Sequence, residues 1–374
     1  MESIFPATYQ DSRQRFIQDF EVLRGGWSSS SIDAYPLTTD PSLSIDYAWA
    51  VPKKKQNLVV ISTGLHGIEG YVGSAMLKIF MDDYAPLFNA ENTGLLLVHT
   101  INPFGMNVRR RYNENNVDLN RNFLPDEKYD RTINLDYEPL IPMLNPTGSL
   151  ENLFLDEVKF ISRLVTNIAQ MGILRIRQGM LSGQYRHGKG VQFGGNSLQE
   201  SALLMRGLLM EALGNYELVV HIDLHSGYGP RYQMSIVNAV SEKATSAEMV
   251  KRFHYPLILA ATPGEFYTTT GDITEYFYIL REESFPQKKL FATCFEFGTY
   301  GESLFSQIRS MRATIFENRL FQFGAKNDGI RRSVRKDYEE LFFPTEPGWR
   351  EKATADCRQA YDGVFSDFGL LGKR

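Results

Sequence analysis

The chain has 374 residues, 43% apolar and 22% charged, with a formal charge of −4. That is enough chain for one large core, and the balance excludes a disordered protein, a coiled coil and a global basic field for nucleic acid. Two cysteines, Cys294 and Cys357, are too few for a disulfide framework or a cysteine-built metal site.

The start, MESIFPATYQDSRQRFIQDF, is polar and acid-bearing. It lacks the zones of a signal peptide, and no apolar run approaches a membrane span, so a soluble, cytoplasmic protein is expected. Residues 8–24 put Phe16, Ile17, Phe20 and Leu23 on one side of an amphipathic helix. Residues 27–52 mix Ser, Thr and Pro with alternating apolar positions, which suits short strands and turns. Apolar runs of strand length follow at 58–63, 95–100, 218–224, 234–238 and 290–297, with helical spacing at 74–81, 152–171 and 201–213. Strands alternating with helices predict an α/β protein with a mixed, largely parallel central sheet flanked by helices. Residues 122–150, rich in Pro, Asp and Asn, read as a long ordered loop, and the charged tail from about 325 as peripheral helices. The polar clusters described next spread from residue 66 to residue 296, and one site would need one sheet. A single domain over 1–374 is therefore expected.

The first cluster is ISTGLHGIEGYVGSAM, where a buried strand turns into a helix through a Gly-rich loop. His66 and Glu69 offer a neutral nitrogen and a carboxylate at the carboxyl end of a strand, where α/β proteins bind ligands and where a zinc ion suits both donors. A hydrolytic zinc usually takes a third protein ligand. YELVVHIDLHSGYGP offers His221, Asp223 and His225 on one face of a strand. All three are candidates, and His225, at the strand end, is the most open of them. The next cluster, NPFGMNVRRRYNENNVDLNRNF, carries Arg109, Arg110 and Arg111, then Asn120 and Arg121, in a loop after a strand. Guanidinium groups there suit a carboxylate or an oxyanion. In LFATCFEFGTYG, Glu296 ends an apolar strand. A carboxylate in that setting is costly without a partner, and its raised pKa suits a general base. No G-x-S-x-G elbow occurs, which argues against a serine hydrolase.

Taken in order, HGIEG, VDLNRNF, HIDLHSG and FEFGT make the chain resemble the zinc carboxypeptidase superfamily, the M14-type metallopeptidases with the related aspartoacylase and succinylglutamate desuccinylase enzymes. More closely, the whole chain is similar to a DUF2817-type bacterial group, including the segment GQYRHGKGVQFGGN at 183–196. The resemblance implies Zn2+ held by His66, Glu69 and His225. It implies Glu296 as general base, Asn120 and Arg121 as holders of a substrate carboxylate, and Asp118 as the carboxylate orienting a ligand histidine. The arginine that polarises the scissile carbonyl matches Arg111 best, with Arg110, also a substrate-binding candidate, and Arg109 as alternatives. Tyr267, Tyr276 and Tyr278 are candidates for the family's mobile tyrosine. The implied activity is amide hydrolysis in small peptides, or alternatively deacylation of N-acyl amino acids. A binding protein that has lost catalysis is a further alternative. No nucleic-acid or membrane partner is expected.

Overall fold

A computed structural model describes residues 4–262 and 269–372. Eight strands pair in one sheet among these residues: β1 (Ser29–Pro36), β2 (Ser44–Val51), β3 (Asn57–Thr63), β4 (Thr93–Val98), β5 (Leu218–Gly227), β6 (Met234–Asn238), β7 (Ile258–Ala260) and β8 (Lys289–Gly298). Their order is β1-β2-β4-β3-β5-β8-β6-β7. The four central strands β4, β3, β5 and β8 run parallel. On one side β1 and β2 form an antiparallel hairpin against β4, and on the other β6 and β7 lie antiparallel to β8. The sheet is thus mixed and largely parallel.

Sequence dictates this centre directly. Val59, Val60 and Ile61 are wholly buried, as a strand covered on both faces requires. From β3 the chain runs through the helix Gly70–Ile79 to β4 on one side, and β5 later pairs with the opposite side of β3. The strand order therefore reverses at β3, and a crevice opens at the carboxyl ends there.

Two expectations change. Residues 122–150 are not loop throughout, because Leu135–Leu140 and Ile141–Leu144 are short helical segments whose Tyr137, Leu140, Met143 and Leu144 are buried. They join a second apolar cluster with Phe160, Ile176 and Phe316, apart from the main core. The tail is not peripheral either. Its last helix, Pro347–Asp367, sends Trp349, Ala353, Cys357, Tyr361 and Val364 into the main core. Exposed residues such as Glu351 and Arg358 on its other face gave the segment its charged look. Among the described residues no helix is long and apolar enough to cross a membrane.

Candidate functional site

The turn after β3 is built by glycine. Gly64 has φ +62°, and a Cβ there would strike the Thr100 hydroxyl. A Cβ on Gly67 would strike the backbone of Gly105. With both free of side chains, His66 leads into a single 3-10 turn, Gly67–Glu69, closed by the Glu69 N–H donating to the His66 carbonyl at 3.0 Å. That turn sets the His66 Nδ1 2.9 Å from Glu69 Oε1. On the adjacent strand β5, His225 brings its own Nδ1 to 3.0 Å from Glu69 Oε2 and 3.3 Å from His66 Nδ1.

The outer nitrogens of the two rings are engaged symmetrically. His66 Nε2 lies 3.0 Å from Asp118 Oδ1, and His225 Nε2 lies 2.5 Å from Asp223 Oδ2. Burial opposes charge on Asp118, but Arg111 and then His66 hold it well below the carboxylate range. Burial likewise opposes charge on Asp223, and His225 keeps it lowered. Each ionised carboxylate takes a ring N–H, which fixes the tautomer and turns both Nδ1 atoms to one point. Ser62 extends the support by donating to Asp223 Oδ1 at 2.5 Å, while its hydroxyl lies 2.8 Å from His221 Nε2. His221 and Asp223, the rivals of His225, thus sit behind it. The alternation in sequence showed their shared face. It did not show that the His225 ring is held from behind by the carboxylate two residues earlier.

Burial would penalise a charged Glu69, yet His66 and His225 beside it hold its pKa well down. Burial opposes a charged His225, yet Asp223 and Glu69 push it well above its ordinary value. The point between these groups attracts positive charge. Its donor set, two imidazole nitrogens and one carboxylate, fits a divalent cation. The 3.3 Å separation of the two nitrogens lets both reach one ion. Cys294 Sγ also lies within 4.8 Å of ligand atoms of His225 and Glu296. Burial and the charge of Glu296 push its thiol far up, so it stays neutral and binds metal poorly.

Glu296 stands opposite His225 in the β5–β8 register. The Tyr228 N–H donates to its Oε1 at 3.0 Å. Burial first, and the charge of Glu69 second, push its pKa up to about 8. These groups line one cleft together with Arg111, Asn120, Arg121, Arg177, Gln192 and Tyr228.

The three consecutive arginines diverge. Arg109, in a left-handed conformation, pairs with Glu339 and covers Tyr71. Arg110, 2% exposed, pairs with Glu317 at 2.7 Å and lies over Phe321. It faces the second core and not the cleft, which corrects its expected contact with substrate. Arg111 alone reaches the cleft, with Nε 2.9 Å from Asp118 Oδ2 and Nη1 3.5 Å from Glu69 Oε1. Three successive side chains in a tight loop cannot share a direction, and no periodicity in the loop chooses among them. Asn120 is committed to the start of the helix Ile273–Ser284, donating to Asp272 and accepting from the Ile273 N–H. Arg121 donates to the carbonyls of Leu181 and Asn120 and has no carboxylate partner among the described residues. Tyr276 and Tyr278 are buried away from the cleft, on Phe123 and on Glu242 respectively. Tyr267 lies outside the described residues. Among the cleft residues that the sequence reading did not single out are Arg177, Gln192 and Tyr228; Gln192 and Tyr228 fall in segments that had drawn attention, and Arg177 does not.

A family model described as a protein of unknown function (DUF2817) matches residues 5–356. Among solved structures the chain is similar to bovine thrombin-activatable fibrinolysis inhibitor in complex with tick carboxypeptidase inhibitor, at 12% identity over 94% of this chain and 97% of that one, with a TM-score of 0.48. It is similar to carboxypeptidase A from Helicoverpa armigera at 13% identity over 90% and 75% of the two chains, TM-score 0.46. A succinylglutamate desuccinylase from Silicibacter matches at 14% identity over 79% and 67%, TM-score 0.38. No curated protein matches the chain in sequence.

Proposed function

We propose that this chain, which belongs to the DUF2817 family, is a zinc-dependent hydrolase of amide bonds in small substrates that carry a free carboxylate. The observation that carries the reading is the convergence of His66 Nδ1, His225 Nδ1 and the Glu69 carboxylate within 3.3 Å of one another in a cleft that Glu296 also lines. When bound, zinc supplies a Lewis acid and lowers the pKa of a water molecule.

The chain's own groups supply the rest. Glu296, buried and pushed up to about 8, takes the proton of the attacking water and returns it to the leaving amine. Arg111, clamped between Asp118 and Glu69, presents its guanidinium where charge grows on the carbonyl oxygen. Arg121 offers a guanidinium without an ionic partner among the described residues, the complement of a carboxylate. Ile173, Met180, Leu304, Ile308 and Met311 add an apolar wall that takes the non-ionic part of the substrate.

The test is a panel of dipeptides beside N-acyl amino acids, assayed with the zinc-loaded protein and again after chelation. Turnover that a chelator abolishes and added zinc restores supports the reading. Preference for dipeptides marks a carboxypeptidase, and preference for N-acyl amino acids a deacylase. A zinc-loaded protein that cleaves nothing on the panel would overturn the reading in favour of a binding protein.

A further inference from the structure

The helix Leu153–Met171 has two apolar faces, and the fold uses one of them. Phe160 and Leu164 are buried in the second core, and Asp156 beside them is held by Arg319 at 2.9 Å. On a different face Phe154, Val158, Ile161, Val165 and Ile168 stand in solvent, each between 37% and 71% exposed. Single exposed apolar residues need no explanation, but a contiguous strip rimmed by polar side chains marks an interaction surface.

The spacing of the strip specifies a helix as its partner. Its steps of 4, 3, 4 and 3 residues keep a repeat of about 3.5, the seam of a coiled coil, which faces one other helix along its whole length. The same steps specify which helix. They are symmetric about position 163, so an antiparallel copy brings Ile161 opposite Val165 of that copy and Val158 opposite its Ile168. Phe154 then falls opposite Gly172, beside which the space is open. A second copy of this helix is therefore complementary at every seam position, as a two-fold interface requires.

Charge and area agree with that occupant. No charged side chain stands on the seam. Glu157 at its edge pairs with Arg312 of its own chain, and Arg163, across the helix, donates to the Pro142 carbonyl. An acidic or basic partner has nothing to recognise there, and two copies meet no repulsion. The five side chains offer roughly 500 Å² of apolar surface per copy, about two-thirds of the ~800 Å² that each partner of a stable pair buries, which is the apolar share of a homodimer interface.

We propose that the chain forms a two-fold dimer in which Leu153–Met171 pairs antiparallel with the same helix of a second copy. The inference is independent of the hydrolase reading. Through Gly172 the paired helix continues into Ile173–Leu181, whose Ile173, Arg177 and Met180 line the cleft, so the dimer braces that wall.

The experiment is sedimentation equilibrium on wild type, Ile161→Glu and a control, Val22→Glu, which alters an exposed valine of the first helix, Tyr9–Leu23. Circular dichroism is measured for each. Wild type and Val22→Glu should show twice the mass of the chain at micromolar concentration. Ile161→Glu should keep the helical spectrum and raise the dissociation constant at least about 100-fold, because its carboxylates would be buried without partners. A wild type with the mass of one chain overturns the proposal, and if that monomer binds phosphatidylcholine vesicles the face belongs to a lipid surface. A folded Ile161→Glu that dimerises as tightly as wild type also overturns it. Should Ile161→Glu lose its fold, the double variant Ile161→Cys, Val165→Cys decides. Mild oxidation should link it into a covalent dimer that reductant dissolves, while Val22→Cys stays single. No cross-link in the double variant would overturn the pairing.

Discussion

His99 and His225 are both buried histidines with carboxylates close by, and their rings are engaged in opposite ways. His99 Nε2 lies 2.7 Å from the Ser12 hydroxyl, and its Nδ1 stands 4.0 Å from Asp46, too far for a hydrogen bond. Asp46 is itself taken by Arg13 at 2.8 and 2.9 Å. The set resembles a serine–histidine–aspartate row, but all three residues are wholly buried and its charges close on one another. His225 has one nitrogen fixed by Asp223 and the other turned to a point shared with His66 and Glu69 in an open crevice. Chemistry belongs to the cluster with unspent valence and access, and residue types alone do not distinguish the two.

On the proposed reading, the largest expected effect comes from a change that leaves the three candidate metal ligands untouched. Glu296→Gln should lower kcat by about 10²–10⁴-fold while zinc content stays unchanged, read by steady-state kinetics beside elemental analysis. Adjacent arginines sharpen the same contrast. Arg110→Met leaves the buried Glu317 unpaired and should cost about 3–5 kcal/mol in a denaturant titration. Arg111→Met also strips a buried carboxylate, Asp118, of its charged partner and so costs stability too, but it should in addition lower kcat by about 10²-fold, which Arg110→Met has no contact to do. Asp223→Asn removes the ionised carboxylate behind His225 and should weaken zinc binding by about 10–100-fold, read by competition with a chelating dye.

The smallest effect belongs to the closed cluster. Burial, with Arg15 and Arg13 nearby, pushes His99 down to about 3 from its ordinary 6.5. The folded ring stays neutral where the unfolded one gains a proton, so its contribution to stability is complete above about pH 6.5. It should decline by roughly 1.4 kcal/mol per pH unit as pH falls toward 3. His221, pushed down to about 4 by burial, acts in the same direction. Glu296 and His225, shifted upward, act in the opposite direction, so urea titrations of metal-free wild type and His99→Asn at pH 7 and pH 5 should differ from each other by that one-proton slope.

What was legible in the sequence followed from burial on both faces. The runs at 58–63 and 234–238 stand out because a strand covered on both faces is mostly apolar, and they match Asn57–Thr63 and Met234–Asn238 in the fold. His66, Glu69, His225 and Glu296 were legible because each breaks such a run at its carboxyl end. The last helix was misread because a polar face hides its apolar stripe until the helix is seen packed. Arginines 109–111 could not be sorted because side-chain direction in a loop depends on φ, and Arg109 takes the left-handed region at +58°. The use of Asp223 depends on a ring orientation, which strand alternation does not encode.

The most direct test of the account is zinc content after dialysis against zinc and then buffer, for wild type, His66→Ala, His225→Ala and His99→Ala. The account expects about one ion per chain in wild type and in His99→Ala, and none retained in the other two. A wild type that retains no zinc, or equal zinc in all four proteins, would contradict it.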